Sequence, residues 1–191
     1  MSNRGRIIII SSPSGGGKGT VIDEMRKLRP SLAYSVSMTT RTPRPNEIEG
    51  VHYFFVTREE FKELDERGYF LESSPYSSMG NLYGTPLSYV ESAVERGEDV
   101  VLEIEVNGMR QVKERMDNAV TFFILPPSRD EWEKQLNHRN DAISEEERHA
   151  RMETGMQEIN AAREYDYRVI NHPGKPRQAA QEILDILDRK Q

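Results

Sequence analysis

The chain has 191 residues, and its 26 Lys and Arg against 32 Asp and Glu give a formal charge of −6 at pH 7. This acidic balance argues against a general nucleic-acid binder and against a protein of anionic membrane surfaces, because both classes need a basic face. The absence of cysteine excludes disulfides, thiol catalysis and thiolate zinc sites, and it fits a cytoplasmic protein. The length of the chain predicts one compact domain.

The first predicted strand is the apolar run Arg6–Ser11, whose β-branched residues suit a strand buried on both faces. Its run of isoleucines is too short for a signal-peptide core or a membrane span. A helix is predicted to follow, because apolar residues recur at helical spacing from Val21 to Leu28 and Pro30 then stops the pattern.

Two further buried strands are predicted at Asp99–Glu105 and Ala119–Leu125, with a polar crossover helix around residues 111–116 between them. A last short strand is predicted at Arg168–Asn171, and a tail helix from Gln178 carries its apolar residues on one face. Strands that alternate with helices at these lengths favour a parallel sheet with right-handed crossovers. The sequence therefore predicts an α/β fold in which helices flank a parallel sheet.

Residues 35–90 have a different composition and predict a small α+β insertion. Residues 35–45 are rich in hydroxyl groups, Arg and Pro, which predicts a loop, whereas residues 51–56 suit a strand. Thr57 and Glu60 form a capping box at the start of a short helix.

A second capping box, Ser144 and Glu147, predicts a long polar helix that runs to about Tyr165. The polar residues 138–142 before it predict a short hinge. The single tryptophan, Trp132, is predicted to pack on a helix face.

A glycine-rich turn with the sequence SPSGGGKGT lies between the first strand and the first helix, which is the context that a phosphate-cradling loop requires. Its glycines let backbone N–H groups converge on a polyanion, the helix N-terminus adds its dipole, and Lys18 adds a point charge. Ser12 and Gly19 depart from the strict Walker pattern, so Thr20 is the nearest hydroxyl for magnesium. The alternative is an ordinary glycine-rich surface loop. The predicted phosphate-binding residues are Ser12, Pro13, Ser14, Gly15, Gly16, Gly17, Lys18, Gly19 and Thr20.

The element S-x-T-T-R-x-P-R at residues 37–44 follows this loop, and with it the chain resembles the guanylate kinases from Arg6 to the tail helix. The same resemblance is carried by YFFV at 53–56, FLE at 70–72, NLYGT at 81–85, FILPPS at 123–128, EYDY at 164–167 and VIN at 169–171.

This resemblance implies a cytoplasmic P-loop enzyme that transfers a phosphoryl group from ATP to GMP, or to dGMP, with Mg²⁺. The enzyme would be a monomer or homodimer without nucleic-acid or membrane partners. One guanylate kinase-like domain would span residues 1–191, with a core at 1–34, 86–128 and 165–191, a GMP-binding part at 35–85 and a helical lid at 129–164.

Arg41 and Arg44 stand three residues apart in a proline-stiffened loop, where two guanidinium groups can grip one monophosphate. By resemblance, Tyr53 and Tyr83 add phenol donors to the same phosphate, and Glu47 belongs to the same substrate-binding motif. Packing in the core is the alternative for each tyrosine.

Guanine presents an acceptor at O6 and donors at N1 and N2, so its recognition needs a carboxylate and hydroxyl groups. The resemblance assigns these roles to Glu72, Ser37 and Thr85. Adenine would leave the carboxylate unpaired, which can cost about 10⁴-fold in discrimination. Considered alone, Glu72 would be an ordinary charge at the end of a strand.

Glu103 and Glu105 end the second buried strand two residues apart, so both are expected on one side of the sheet's carboxyl edge. The family usually has aspartates at this pair. The longer carboxylates can still contact the nucleotide or orient Mg²⁺, for which we expect Thr20 and Glu103 to act largely through water and ATP phosphates. A purely structural end of the strand is the alternative.

Arg139 and Arg151 match the lid arginines of the family, which place positive charge on the transferred phosphoryl group. Gln135 stands where the family commonly has another arginine, and Asn171 matches an asparagine near the adenine. A solvated helix face is the alternative for the lid arginines. The resemblance thus implies Lys18, Arg41, Arg139 and Arg151 as catalytic residues.

Two other functions stay open at this point. A related P-loop kinase could act on another phosphorylated substrate, although it would not need Ser37, Glu72 and Thr85. A guanylate-kinase-like binding module is the second alternative, but such modules usually have a degraded phosphate loop, whereas Lys18 is present here.

Overall fold

The computed structural model describes residues 4–76, 80–138 and 145–189. In chain order, the described elements are β1 (Ile7–Ser11), α1 (Lys18–Leu28), β2 (Ala33–Tyr34), β3 (Met38–Thr39), β4 (Phe54–Phe55), α2 (Arg58–Glu66), β5 (Phe70–Tyr76), β6 (Asn81–Pro86), α3 (Leu87–Glu95), β7 (Val100–Glu103), α4 (Val106–Arg115), β8 (Ala119–Leu125), α5 (Arg129–His138), α6 (Glu145–Ala161), a 3₁₀ turn (Ala162–Glu164), β9 (Tyr167–Ile170) and α7 (Pro176–Asp188).

The strands form two sheets, one of five strands in the order β2-β7-β1-β8-β9 and one of four in the order β4-β3-β6-β5. In the larger sheet, Ala33 pairs in parallel with Val100, and Phe122 pairs in parallel with Tyr167. The isoleucines of β1 are almost completely buried, as expected for a strand covered on both faces. The predicted α/β class, a parallel sheet flanked by helices, is confirmed.

The chain divides into two compact units. The first consists of Met1–Ile9 and Leu32–Val120, and it holds the four-stranded sheet with α2, α3 and α4. The second consists of Ile10–Ser31 and Thr121–Gln191, and it holds α1, α5, α6 and α7. No helix in the described part of the chain is long and apolar enough to cross a membrane.

Local signals explain where two of the helices begin and which face they bury. The predicted capping box is confirmed at α2, since the Thr57 hydroxyl accepts from the Glu60 N–H and the Glu60 carboxylate accepts from the Thr57 N–H. The tail helix begins at Pro176 rather than Gln178. Of its expected apolar face it buries Ala179, Ile183 and Leu187 but only partly Ile186, and it also buries Ala180 and Leu184. Proline suits the first turn of a helix because the missing N–H has no partner there.

The predicted end of the second buried strand is wrong. β7 ends at Glu103, and Glu105 is instead the N-cap residue of α4. The carbonyl of Glu105 already accepts a helical hydrogen bond from the N–H of Met109 at 2.9 Å. The two-residue alternation of a strand therefore does not relate the Glu103 and Glu105 side chains.

Other predicted boundaries also need correction. The predicted loop 35–45 contains β3, which is a strand because Met38 pairs with Gly84 of β6. The predicted strand 51–56 is reduced to β4, since Val51 and His52 lie in a turn in which their N–H groups donate to the Ile48 carbonyl.

Two helix limits complete the corrections. The crossover helix ends at Arg115, with Met116 as its C-cap, and α6 ends at Ala161 before the 3₁₀ turn. Ser144 of the second predicted capping box lies outside the described residues.

Replacing Thr57 by Ala should remove one half of the capping box and lower the free energy of unfolding by about 1 kcal/mol. Urea unfolding of the purified variant measures this change. Lys62→Ala, an exposed position on the same helix, is the matched control and should leave the midpoint nearly unchanged. Equal effects of the two substitutions would contradict a specific capping role.

Candidate functional site

The glycine-rich turn between β1 and α1 has the backbone geometry of an anion-binding loop. Gly15 and Gly17 have φ values of 83° and 81°, in the left-handed region that favours glycine. Gly17 is the N-cap of α1, which has neither a side-chain cap nor an acidic residue in its first turn. The first N–H groups of α1 thus lack a side-chain cap, which is the arrangement that binds phosphate at helix N-termini. Lys18 is the first helical residue.

Two side chains distant in sequence hold this loop. The indole Nε1 of Trp132 donates to the Ser14 carbonyl at 2.8 Å, and the amide Nδ2 of Asn171 donates to the Gly16 carbonyl at 3.2 Å. A Cβ on Gly17 would lie 2.5 Å from Asn171 Nδ2, so glycine is needed there for space as well as for its φ. The Asn171 Oδ1 is buried without a hydrogen-bond partner in the described part of the chain.

Arg41 is the centre of a second cluster, in the first unit. Its guanidinium donates to the Tyr83 hydroxyl at 3.2 Å, to the Thr42 carbonyl at 2.8 Å and to the Glu47 carboxylate at 2.8 Å. It also lies 5.4 Å from the centre of the Tyr53 ring. The sequence-predicted residues Arg41, Glu47, Tyr53 and Tyr83 are therefore brought together.

Glu47 connects Arg41 and Arg44 through the two oxygens of its carboxylate. One carboxylate oxygen bonds Arg41, and the other accepts from the backbone N–H of Arg44 at 2.8 Å. Burial opposes ionisation of Glu47, but these hydrogen bonds outweigh it and lower the pKa of its carboxyl below the ordinary value of 4.5. Arg44 is exposed.

Glu72 and Thr85 form a buried polar pair on neighbouring strands. They are paired residues of antiparallel β5 and β6, and the Thr85 hydroxyl donates to the Glu72 carboxylate at 2.6 Å. Glu72 is only 4% exposed and Thr85 is fully buried. Met38 of β3 pairs with Gly84 of antiparallel β6. The buried Ser37, which directly precedes β3, and Thr85 of β6 therefore lie beside this pair on the same side of it. The three residues predicted for guanine recognition thus belong to one sheet region.

Glu103 and Glu105 flank the end of β7 and are both partly buried. The Glu103 carboxylate accepts from the Tyr34 hydroxyl of the neighbouring strand at 3.1 Å, a contact that sequence reasoning missed. In the part of the chain that the structure describes, no group of three or more His, Asp or Glu side chains could hold a metal ion.

The remaining predicted residues belong to the second unit. Arg151 is partly buried on α6, and Gln135 is partly buried on α5. Arg139 lies outside the described residues. Sequence reasoning missed three contacts besides that of Tyr34 with Glu103. Trp132 contacts the glycine-rich turn, and Gln111 and Arg115 contact β5. No local pattern marks these residues, because their partners lie between 38 and 118 residues away.

Comparisons with known proteins identify relatives over nearly the whole chain. The family profile described as Guanylate kinase matches residues 4–183. A guanylate kinase of Desulfitobacterium hafniense is 45% identical over 88% of this chain and 83% of its own length. One of Streptococcus pneumoniae is 48% identical over 90% of this chain and 81% of its own length. The crystal structure of guanylate kinase from Anaplasma phagocytophilum has a TM-score of 0.79 and 32% identity, covering 99% of this chain and 87% of that one.

The Glu47 contacts predict a pH dependence of stability. Since the pKa of Glu47 is lower in the folded state than in the unfolded chain, the ionised carboxylate stabilises the fold above pH 4.5, and this contribution is lost as the pH falls through the folded pKa. The stability advantage of the native chain over Glu47→Gln should therefore shrink in acid. Urea unfolding between neutral and acidic pH tests this, with Glu59→Gln on the exposed first turn of α2 as control. A difference that does not vary with pH would contradict the assignment.

Proposed function

The chain belongs to the guanylate kinase family, and from that membership we propose that it transfers the γ-phosphoryl group of ATP to GMP, giving ADP and GDP. The observation that carries this substrate choice is the buried Glu72–Thr85 pair. A carboxylate held inside a protein favours a ligand that offers hydrogen-bond donors at the same place.

Guanine fits that requirement, because N1–H and the N2 amino group both point donors along one edge of the base. Glu72 accepts from these donors. The Thr85 hydroxyl donates to Glu72 and can therefore only accept from the N2 amino group, while the Ser37 hydroxyl donates to the O6 acceptor. Adenine has no donor at N1, so its binding would leave a desolvated carboxylate without a partner.

The phosphate of GMP binds at the cluster around Arg41. Two of the five N–H donors of Arg41 have no protein partner among the described residues, and its other donors hold the guanidinium in place. Arg44, Tyr53 and Tyr83 complete this phosphate site. A planar, pre-positioned guanidinium binds phosphate with little further loss of side-chain entropy.

The glycine-rich turn, with Lys18 and the N-terminus of α1, binds the ATP phosphates, and Asn171 lies against the same turn as a contact for the adenine. Arg139 and Arg151 neutralise charge on the transferred group. The second pKa of a phosphate monoester is about 6, so the GMP phosphate is largely deprotonated at neutral pH and needs no strong general base. Catalysis therefore depends on alignment and charge neutralisation.

Magnesium fits the oxygen donors available. In phosphoryl transfer it is held by one or two carboxylate or hydroxyl oxygens together with substrate phosphates and water, so a cluster of protein ligands is not required. Glu103 and the Thr20 hydroxyl are the candidate protein donors, with Glu105 contacting the nucleotide. Bound magnesium would supply positive charge to the phosphates.

The proposal extends to finer points of substrate and setting. We expect dGMP to serve as an acceptor, because the contacts described above involve the base and the phosphate. A monomer or homodimer in the cytoplasm, without nucleic-acid or membrane partners, is consistent with the charge of −6 and the absence of cysteine.

An ADP-release assay with Mg²⁺-ATP and a panel of GMP, dGMP, AMP, CMP and UMP tests the proposal. GMP should give the highest kcat/KM, followed by dGMP, with AMP and the pyrimidine nucleotides near the rate without acceptor. A GMP rate no higher than that background would refute the proposed function. A comparable rate with another acceptor would instead identify a different P-loop kinase.

Lys18→Ala should lower turnover with every acceptor by roughly 10²- to 10³-fold, because one charge on the transferred phosphates is lost. The matched control is Lys27→Ala on the same helix, where the lysine forms an exposed ion pair with Glu24. The control should retain normal kinetics. Full activity of the Lys18 variant would show that the loop does not bind the reacting phosphates.

A further inference from the structure

We infer that α4 is a positioning element for the Glu72 carboxylate and that Gln111, Arg115 and Gly108 thereby set guanine selectivity. The inference rests on the proposed function, in which Glu72 binds the base. None of the three residues needs to touch the nucleotide. Gln111 and Arg115 act through the β5 backbone, and Gly108 acts on the Glu72 side chain itself.

Gln111 replaces a missing strand beside β5. In the four-stranded sheet, β5 is the edge strand next to β6, so its outer backbone groups have no strand partner. The side-chain amide of Gln111 accepts from the Ser73 N–H at 3.2 Å and donates to the Ser73 carbonyl at 2.9 Å. One amide group thus supplies the donor and the acceptor that a neighbouring peptide would provide.

Arg115, one helical turn further on, holds the other side of Glu72. Its Nη1 donates to the carbonyls of Phe70, at 3.0 Å, and of Leu71. The β5–β6 register shifts between Phe70 and Glu72, as in a β-bulge. A bulge interrupts the ladder and re-aims the next side chain, so carbonyls there need other donors. Gln111 and Arg115 therefore fix the backbone immediately after and before Glu72.

Gly108 gives the carboxylate its space on the same helix face. A Cβ at this position would lie 2.5 Å from Glu72 Oε2 and 3.0 Å from its carboxyl carbon. The spacing of Gly108, Gln111 and Arg115, three and then four residues, places them along one side of α4. The carboxylate is consequently confined between Thr85 on β6 and the first turn of α4.

Removal of these contacts should affect recognition of the base more than phosphoryl transfer. A carboxylate whose backbone can shift is less able to align both oxygens with N1–H and the N2 amino group. Inosine monophosphate, IMP, lacks only that amino group and therefore reports on the alignment. The ratio of kcat/KM for GMP to that for IMP is the relevant selectivity.

Gln111→Ala should raise the KM for GMP roughly 3- to 10-fold and lower the GMP/IMP ratio, with the KM for ATP unchanged. Glu114→Ala, at an exposed position of α4, should leave all three values as they are. Unchanged GMP kinetics in Gln111→Ala would overturn the inference, and so would a fall in kcat with both KM values unchanged, which indicates general damage. Failure of the native chain to phosphorylate GMP would instead refute the proposed function.

Gly108→Ala provides a second variant that leaves Gln111 and Arg115 in place, so it tests the inference if the first variant does not fold. Its added methyl group should displace Glu72 and lower the GMP/IMP ratio. Circular dichroism checks that both variants are folded. A folded Gly108→Ala with native selectivity would contradict confinement of the carboxylate by α4.

Independent contacts in the second unit support a further positioning role, that of Trp132. Trp132 is fully buried, donates to Ser14 of the phosphate loop, and packs so tightly on α6 that a Cβ on Gly155 would lie 2.3 Å from its ring. Arg151 precedes Gly155 by one turn on the same helix. Trp132 thus connects the loop proposed to bind ATP with the helix that carries Arg151.

Because Trp132 is the only tryptophan, its fluorescence reports directly on this contact. ATP added to the native chain without GMP should change the emission. Trp132→Phe keeps an aromatic ring but loses the N–H, so it should raise the KM for ATP roughly 3- to 10-fold and leave the KM for GMP unchanged. Gly155→Ala should act in the same direction, whereas Gln157→Ala, exposed on α6, should have no effect. Constant emission together with a native KM for ATP in Trp132→Phe would overturn this role.

Discussion

The feature on which the proposed recognition depends is a carboxylate buried in the first unit. Glu72 is 4% exposed, and burial of a charge is costly unless hydrogen bonds compensate for lost water. The surroundings reflect this requirement: Thr85 donates to the carboxylate, Gly108 leaves it space, and Gln111 and Arg115 hold the strand on either side. In the proposed function, guanine binds this carboxylate because it presents two donors on one edge.

The proposed phosphate sites follow a different physical principle, in which donors are fixed in place before an anion binds. In the second unit, Trp132 and Asn171 bind the carbonyls of the glycine-rich turn, and α1 begins without a side-chain cap. In the first unit, Glu47 and Tyr83 fix Arg41. The acidic net charge argues against a general polyanion binder, but it does not oppose such local sites, because affinity for a small anion depends on nearby groups.

Much of the fold could be predicted because its signals are local. The β-branched run gave β1, an apolar run gave β8 with its observed limits, and Thr57 marked α2. The β5–β6 hairpin was not predicted, and Glu105 was placed on a strand, because pairing and strand ends depend on long-range contacts. The positioning residues could not be predicted from the sequence for the same reason: Gln111 and Ser73 are 38 residues apart, and Trp132 and Ser14 are 118 residues apart. Glu72 itself was found only through family resemblance, since one glutamate carries no distinctive pattern.

The most direct test of the central claim is a comparison of GMP and IMP binding to the native chain and to Glu72→Gln by titration calorimetry. If the carboxylate accepts a hydrogen bond from the N2 amino group, the native chain should prefer GMP over IMP by roughly 10- to 100-fold, the range expected for a hydrogen bond to a charged group. Glu72→Gln should lose most of this preference. An equal GMP/IMP ratio in the two proteins would contradict the claim that Glu72 selects guanine.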